Sequence, residues 1–196
     1  MGRPRVVRDE DILAATARVV SARGPVAFTL AEVAAEAGVS APLLLQRFKT
    51  KRGLLLALAD SGAGAVERAF AGAADADDAL EALHAALLRL AGEPTPRAVA
   101  NGLAFLALDV TEPDFRQRAL RFFQAFHAGV KGLLDEAVRA RELKPTDTAA
   151  LARAVEVAYN GALIAWAIRQ DEKFARALRD AVEHLLAPLR PTTRRG

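Results

Sequence analysis

Apolar residues recur along almost the whole chain at the three- and four-residue spacing of amphipathic helices, and alternating strand-like runs are lacking. Capping residues, glycines and prolines divide this pattern into nine predicted helices. The expected helices cover about residues 9–22, 30–37, 41–49, 51–70, 80–90, 96–110, 113–137, 151–168 and 174–189. The sequence therefore predicts an all-α fold with no strand.

The second and third predicted helices are short and lie close together. Thr29 and Glu32 have the spacing of a capping box at the start of the second helix. Gly38 suits the left-handed backbone of a tight turn, and Pro42 suits the first turn of the next helix. This spacing indicates a helix-turn-helix, but a generic helical hairpin within a bundle would have the same pattern.

Charge is distributed unevenly along the chain. The net charge is +3, yet the first 52 residues alone hold nine basic and five acidic side chains. A basic terminal module suggests a polyanionic partner such as DNA, although solvated basic faces are also common.

Composition argues against catalysis and against a membrane. The chain has no cysteine, which excludes disulfides, zinc fingers and thiol nucleophiles. His84, His127 and His184 fall on three different predicted helices without metal-ligand spacing, and no phosphate-binding glycine loop is present. We therefore expect neither enzymatic activity nor a bound metal or cofactor. The alternative is a helical-bundle enzyme that uses Asp109 and His127. No apolar run has the length of a membrane span, so we expect a cytoplasmic protein without a membrane partner.

Residues 9–58 resemble the N-terminal domain of the TetR/AcrR family of transcriptional regulators. The resemblance rests on Phe28-Thr29-Leu30, Val33-Ala34, Ala37 to Ser40, Phe48 to Lys51, and Leu54-Leu55. The remaining two-thirds of the chain resembles the family only in the number and length of its helices. The resemblance implies a three-helix DNA-binding domain joined to a six-helix dimerisation and ligand-binding bundle. The DNA-binding domain is expected to cover residues 1–52 and the bundle residues 53–190. A basic tail, residues 191–196, follows, and we expect it to be disordered.

The resemblance also implies which residues contact double-stranded DNA. The third helix would enter the major groove, where Gln46 can pair with adenine and Arg47 with guanine or a phosphate. Thr29 and Lys51 match positions that contact phosphates. The full predicted set is Arg3, Arg5, Thr29, Ala41, Pro42, Leu43, Leu45, Gln46, Arg47, Lys49 and Lys51.

Three positions depart from the family pattern. Leu45 stands where the family commonly has tyrosine, Arg47 where it usually has histidine or tyrosine, and Gly53 where it favours glutamate. The recognition helix is therefore unusually apolar. Either methyl contacts and DNA shape contribute to readout, or the affinity for DNA is low.

The predicted body carries a dimer interface and a ligand site. The family forms homodimers through its last two helices, which here are about 151–168 and 174–189. Leu178, Val182, Leu185 and Leu186 would supply interface area, or would fill the intramolecular core instead. An aromatic cluster with a few polar groups suits a small-molecule pocket, although core packing explains aromatic residues equally well. The predicted ligand-binding residues are Phe105, Asp109, Phe122, Phe126, His127, Tyr159, Asn160 and Trp166.

These observations predict a regulator, most simply a repressor, that binds a palindromic operator as a homodimer. A small apolar or aromatic effector would release it from DNA. The alternatives are a DNA-binding protein of the same fold that responds to no ligand, and the helical-bundle enzyme mentioned above.

Overall fold

The computed structural model describes residues 7–72 and 78–191, which contain nine α-helices, one short 3-10 helix and no strand. The α-helices are α1 Asp9–Arg23, α2 Leu30–Ala37, α3 Ala41–Phe48, α4 Lys51–Ala71, α5 Ala79–Ala91, α6 Pro96–Thr111, α7 Pro113–Arg139, α8 Thr148–Arg169 and α9 Phe174–Leu186. The predicted all-α fold is confirmed. Arg3, Arg5 and the tail residues 192–196 lie outside the described residues.

Caps and prolines explain most of the helix bounds. Pro96 and Pro113 begin α6 and α7, as predicted. The predicted start of α8 at Leu151 is three residues late, because the Asp147 side chain accepts hydrogen bonds from two backbone amides of the first turn. The predicted end of α9 is also late. Pro188 cannot donate an α-helical hydrogen bond, and the chain continues as a 3-10 turn over Ala187–Leu189.

The chain divides into two compact units. The first unit comprises Met1–Gly62 and Arg97–Leu120, and the second comprises Ala63–Pro96 and Arg121–Gly196. The core of the first unit consists of fully buried apolar side chains, notably Ile12, Phe28, Leu44, Leu54 and Phe115. The functional boundary expected at residues 52 and 53 stays a prediction.

The second unit buries apolar faces from α5, α7, α8 and α9 around one core. Leu178, Val182 and Leu186 of α9 have no exposed surface there. These three side chains therefore fill the intramolecular core, and their expected contribution to the area of a dimer interface is wrong. Burial of each stabilises the unit by roughly 1.5–3 kcal/mol.

Helix α8 is the one described helix whose length and composition would allow it to cross a membrane. Core helices of other proteins pass the same test. Here Val155 and Tyr159 of α8 are buried in the core of the second unit.

Candidate nucleic-acid interface and ligand site

Helices α2 and α3 form a tight helix-turn-helix in the first unit. The Thr29 hydroxyl accepts from the Glu32 amide at 3.1 Å, and the Thr29 amide donates to the Glu32 carboxylate at 2.8 Å, which completes the predicted capping box. These bonds hold the pKa of Glu32 below its usual range. Gly38 ends α2 with φ 66° and ψ 33°, a left-handed conformation that glycine adopts without strain. Ser40 then caps α3.

The orientation of α3 is set by one buried side chain. Leu44 is almost fully buried against the first core, which anchors the helix. Pro42, Leu45 and Gln46 are exposed, with 46% of Leu45 accessible. Ala41 and Leu43 are partly buried beside them. The Gln46 amide has no hydrogen-bond partner within residues 7–72 and 78–191. It is therefore available to a partner molecule.

Within the described residues, the basic side chains of the predicted interface have internal partners. Lys51 Nζ donates to the Val26 carbonyl at 2.6 Å and lies 4.4 Å from the centre of the Phe28 ring. Lys49 Nζ donates to the Gln46 carbonyl at 2.9 Å. Arg47 Nη1 donates to the Val7 carbonyl and to the Asp9 carboxylate.

Neighbouring arginines are also paired with acids. Arg18 contacts Glu36 at 2.6 Å, and Arg23 contacts Glu32 at 2.9 Å. Local neutralisation of this kind reduces the field at the surface below what the nine basic residues suggest. The sequence does not reveal these pairs, because they join residues distant along the chain.

An aromatic cluster lies in the core of the second unit. The Phe126 ring is almost fully buried, with its centre 5.4 Å from that of Tyr159 and 6.0 Å from that of Phe70. Phe122 packs against the same core. Tyr159 is 7% exposed, and burial raises its pKa.

The Tyr159 hydroxyl has no hydrogen-bond partner in the described part of the chain. Every fully buried polar side-chain atom described there does have a partner. The hydroxyl must therefore retain some accessible surface. A ring packed in the core with an unsatisfied hydroxyl at an accessible point can offer a hydrogen bond to a ligand.

Glu156 belongs to this region, although it is not among the ligand-binding residues predicted from the sequence. It is partly buried, and burial raises its pKa while the nearby His127 lowers it. It precedes Tyr159 by one helical turn of α8. A single glutamate on a helix resembles a solvated residue in sequence, so only its partial burial and the nearby charge of His127 identify it.

Comparison with protein families and solved structures gives a consistent result. Residues 12–58 match the model of the tetR family of bacterial regulatory proteins. A TetR-family regulator from Rhodococcus sp. is 26% identical, with 91% of this chain and 94% of that chain covered and a TM-score of 0.66. A TetR regulator from Haloarcula marismortui is 18% identical, with coverage of 93% and 97% and a TM-score of 0.75.

Residues 12–58 are thus similar to the tetR family in sequence, and the fold of the described residues is that of TetR-family regulators. The fold also resembles that of FadR from Bacillus subtilis, solved in complex with stearoyl-CoA, at 19% identity, coverage of 93% and 100%, and a TM-score of 0.69. A search of curated proteins found no match.

For four residues of the predicted ligand site, the structure gives surroundings other than the Phe126 and Tyr159 rings. Phe105 packs edge-on against Phe115, with ring centres 5.8 Å apart, in the first unit. Asp109, also in the first unit, is partly buried, and burial raises its pKa to about 6. In the second unit, Asn160 is exposed, and the Trp166 indole donates to the Glu172 carbonyl at 2.8 Å.

The outer face of α8 carries exposed apolar side chains. Val157, Ile164 and Ile168 are 71%, 38% and 76% exposed, and they follow one another at helical spacing. A groove of about 440 Å³ lies beside them, between α8 and α9, with small side chains such as Ala158, Ala162 and Ala177 in its lining. Small residues and exposed apolar side chains together suit close packing against another helix.

Proposed function

We propose that this chain is a cytoplasmic transcriptional repressor of the TetR family that binds a palindromic operator as a homodimer and leaves it when a small apolar or aromatic effector binds. The observation that carries the proposal is the exposed face of α3, which stands on a helix-turn-helix held by the Thr29 cap and by Gly38. No catalytic step is assigned to any residue.

Gln46 is the proposed base-reading residue. Its amide is exposed and without a hydrogen-bond partner in the described chain, and a glutamine can donate to and accept from adenine in the major groove. Leu45 and Pro42 flank it on the exposed face of α3. Apolar side chains of this kind suit thymine methyl groups. The proposed operator is therefore read by one polar side chain and several methyl contacts.

The exposed apolar face of α8 is the proposed dimer contact. One short recognition helix contacts too few base pairs for specificity, so a second copy is needed to read a second half-site. Val157 and Ile168 would be removed from water in a symmetric pair of α8 helices. Aspartate at either position would place a charge near its own copy across the interface.

The effector is proposed to bind beside Tyr159. The buried ring of Phe126 supplies an apolar surface, and the Tyr159 hydroxyl supplies an unsatisfied polar group. The effector releases DNA only if it binds the DNA-incompetent state more tightly than the other state. Stearoyl-CoA, the ligand of the Bacillus subtilis neighbour, is an informative first probe.

Selection of bound fragments from a random DNA pool tests DNA recognition. We expect an inverted repeat to be enriched by the wild-type chain. Gln46→Ala should lower affinity by about 1–3 kcal/mol and relax the preference at one base pair in each half-site. Gln117→Ala changes another exposed glutamine and should leave the preference unchanged. Failure of the wild type to enrich any sequence would contradict the proposal.

Sedimentation and titration test the other two elements. Val157→Asp should yield a folded monomer, whereas Val26→Asp, at a valine 80% exposed in the first unit, should remain dimeric. Stearoyl-CoA and a panel of small aromatic compounds are titrated against the operator complex. Tyr159→Phe, which keeps the ring, should weaken the response to any compound that releases wild-type protein. If no compound releases the operator from either the wild type or Tyr159→Phe, the result would favour a regulator that responds to no ligand.

A further inference from the structure

The guanidinium of Arg47 is bound to the start of α1. Its Nη1 atom donates to the Val7 carbonyl at 2.7 Å and to Asp9 Oδ1 at 2.8 Å. Only 26% of the Arg47 side chain is exposed, whereas 63% of Asp9 is. One of these hydrogen bonds joins two charged groups, so the two together restrain Arg47 more than a single neutral hydrogen bond would.

The register of α3 separates Arg47 from the exposed face. Arg47 lies three residues after the buried Leu44, so its side chain starts on the flank of the helix that packs into the domain. The neighbouring Gln46 lies on the exposed face. From the sequence alone, Gln46 and Arg47 could both face DNA. In the structure they differ in what they contact.

For its Nη1 atom to contact DNA, Arg47 would have to leave both acceptors. Asp9 would then lose its partner while a phosphate backbone lay nearby, and like charges repel. Val7, which supplies the other acceptor, packs against the core of the first unit, so its carbonyl is held in place. A DNA contact made by Nη1 would therefore have to replace two existing hydrogen bonds.

We infer that Arg47 is a positioning residue, which fixes the start of α1 against the recognition helix through Asp9 and the Val7 carbonyl and reads no base. The inference rests on the proposed function. It assigns Arg47 a role that depends on an acid 38 positions away in the chain. The mutual orientation of α1 and α3 then sets how well α3 fits the groove.

Asp9→Ala distinguishes positioning from DNA contact by the sign of its effect. If Arg47 acts through Asp9, removal of the carboxylate should lower operator affinity by about tenfold, and Arg47→Ala should do the same. The double variant should bind no more weakly than Arg47→Ala alone, because Asp9 acts through Arg47. If Arg47 binds DNA, removal of Asp9 frees it, and operator affinity should rise or stay constant.

Glu10→Ala is the matched control. Glu10 is also an exposed acid in the first turn of α1, so its loss changes the net charge and the helix dipole interaction equally, but it does not contact Arg47. We expect its operator affinity to match or slightly exceed that of the wild type. A loss equal to that of Asp9→Ala would overturn the inference.

Base preference and salt dependence complete the test. Arg47→Ala should keep the wild-type preference at every base pair and the wild-type slope of affinity against salt, since Arg47 neutralises no phosphate. A relaxed preference at one position, or a slope smaller by about one, would overturn the inference. If Arg47→Ala lowers the melting temperature but leaves operator affinity unchanged, the contact only stabilises the fold. That result would also overturn the inference. Operator selection by the wild type and the effect of Gln46→Ala are measured in the same assay, so failure of the proposed function is recognised separately.

Discussion

Gly129 of α7 lies directly against the ring of Phe70. A Cβ atom on Gly129 would lie 2.6 Å from Cγ of that ring, which is closer than real Cβ contacts come. The Phe70 ring in turn packs edge-on against Phe126, the ring next to Tyr159. The absence of a side chain at Gly129 therefore allows the aromatic cluster to pack closely against α7.

Gly129→Ala should destabilise the protein. Overpacking of a well-packed contact costs about 1–3 kcal/mol, which exceeds the gain of up to about 1 kcal/mol that alanine brings to a helix interior. Urea denaturation measures the difference. Gly132→Ala is the control, since Gly132 lies three residues further along α7 with no atom within 4 Å of its Cβ position. That change should stabilise the protein slightly, and a shift in the same direction for both would contradict the packing argument.

Local patterns predicted the helices well, because caps and prolines act on their immediate neighbours. Pro96, Pro113 and Gly38 all end or begin helices where the sequence places them. The apolar pattern predicts the start of α8 too late, because Leu151 is its first clear apolar position while the cap, Asp147, precedes it.

The candidate sites were predicted less completely, because they depend on contacts between distant residues. The sequence shows that Arg47 is basic and follows Gln46, but not that Asp9 and the Val7 carbonyl hold it. For the same reason, sequence periodicity does not show which face of a uniformly apolar helix is buried. It therefore could not separate Tyr159 from Asn160, which lie on opposite sides of the burial boundary of α8.

Thr29→Ala should lower stability by about 1 kcal/mol, because the hydroxyl caps α2. Thr29→Ser keeps the hydroxyl and should retain most of that stability. Thermal unfolding in the absence of DNA measures both. If Thr29 served only to contact a phosphate, the alanine variant would bind DNA less tightly and unfold at the wild-type temperature.

Leu178→Ala should cost about 2–5 kcal/mol, since the side chain is fully buried in the core of the second unit and its removal leaves a cavity. Ile168→Ala removes a side chain that is 76% exposed. Its effect on the unfolding temperature should be small at low protein concentration and should grow as concentration rises, because dimerisation adds to apparent stability. An effect of Ile168→Ala that is independent of concentration would contradict its place in the dimer contact.

Asp109 should make stability depend on pH. Burial raises its pKa from 3.8 to about 6, so the folded protein holds this proton at a pH where the unfolded chain has lost it. The stabilisation that this bound proton gives to the folded protein is complete below about pH 4 and is lost as pH rises through about 6. The asparagine of the Asp109→Asn variant cannot ionise. Relative to the wild type, its free energy of unfolding should be higher by about 1 kcal/mol at pH 7.5 and unchanged at pH 4. The value of about 1 kcal/mol is reduced for the partial exposure of the carboxyl. Urea denaturation across this pH range measures the difference, with Asp171→Asn as a control at an exposed aspartate. A constant difference between Asp109→Asn and the wild type at all pH values would show that the carboxyl ionises equally easily in the folded and unfolded states.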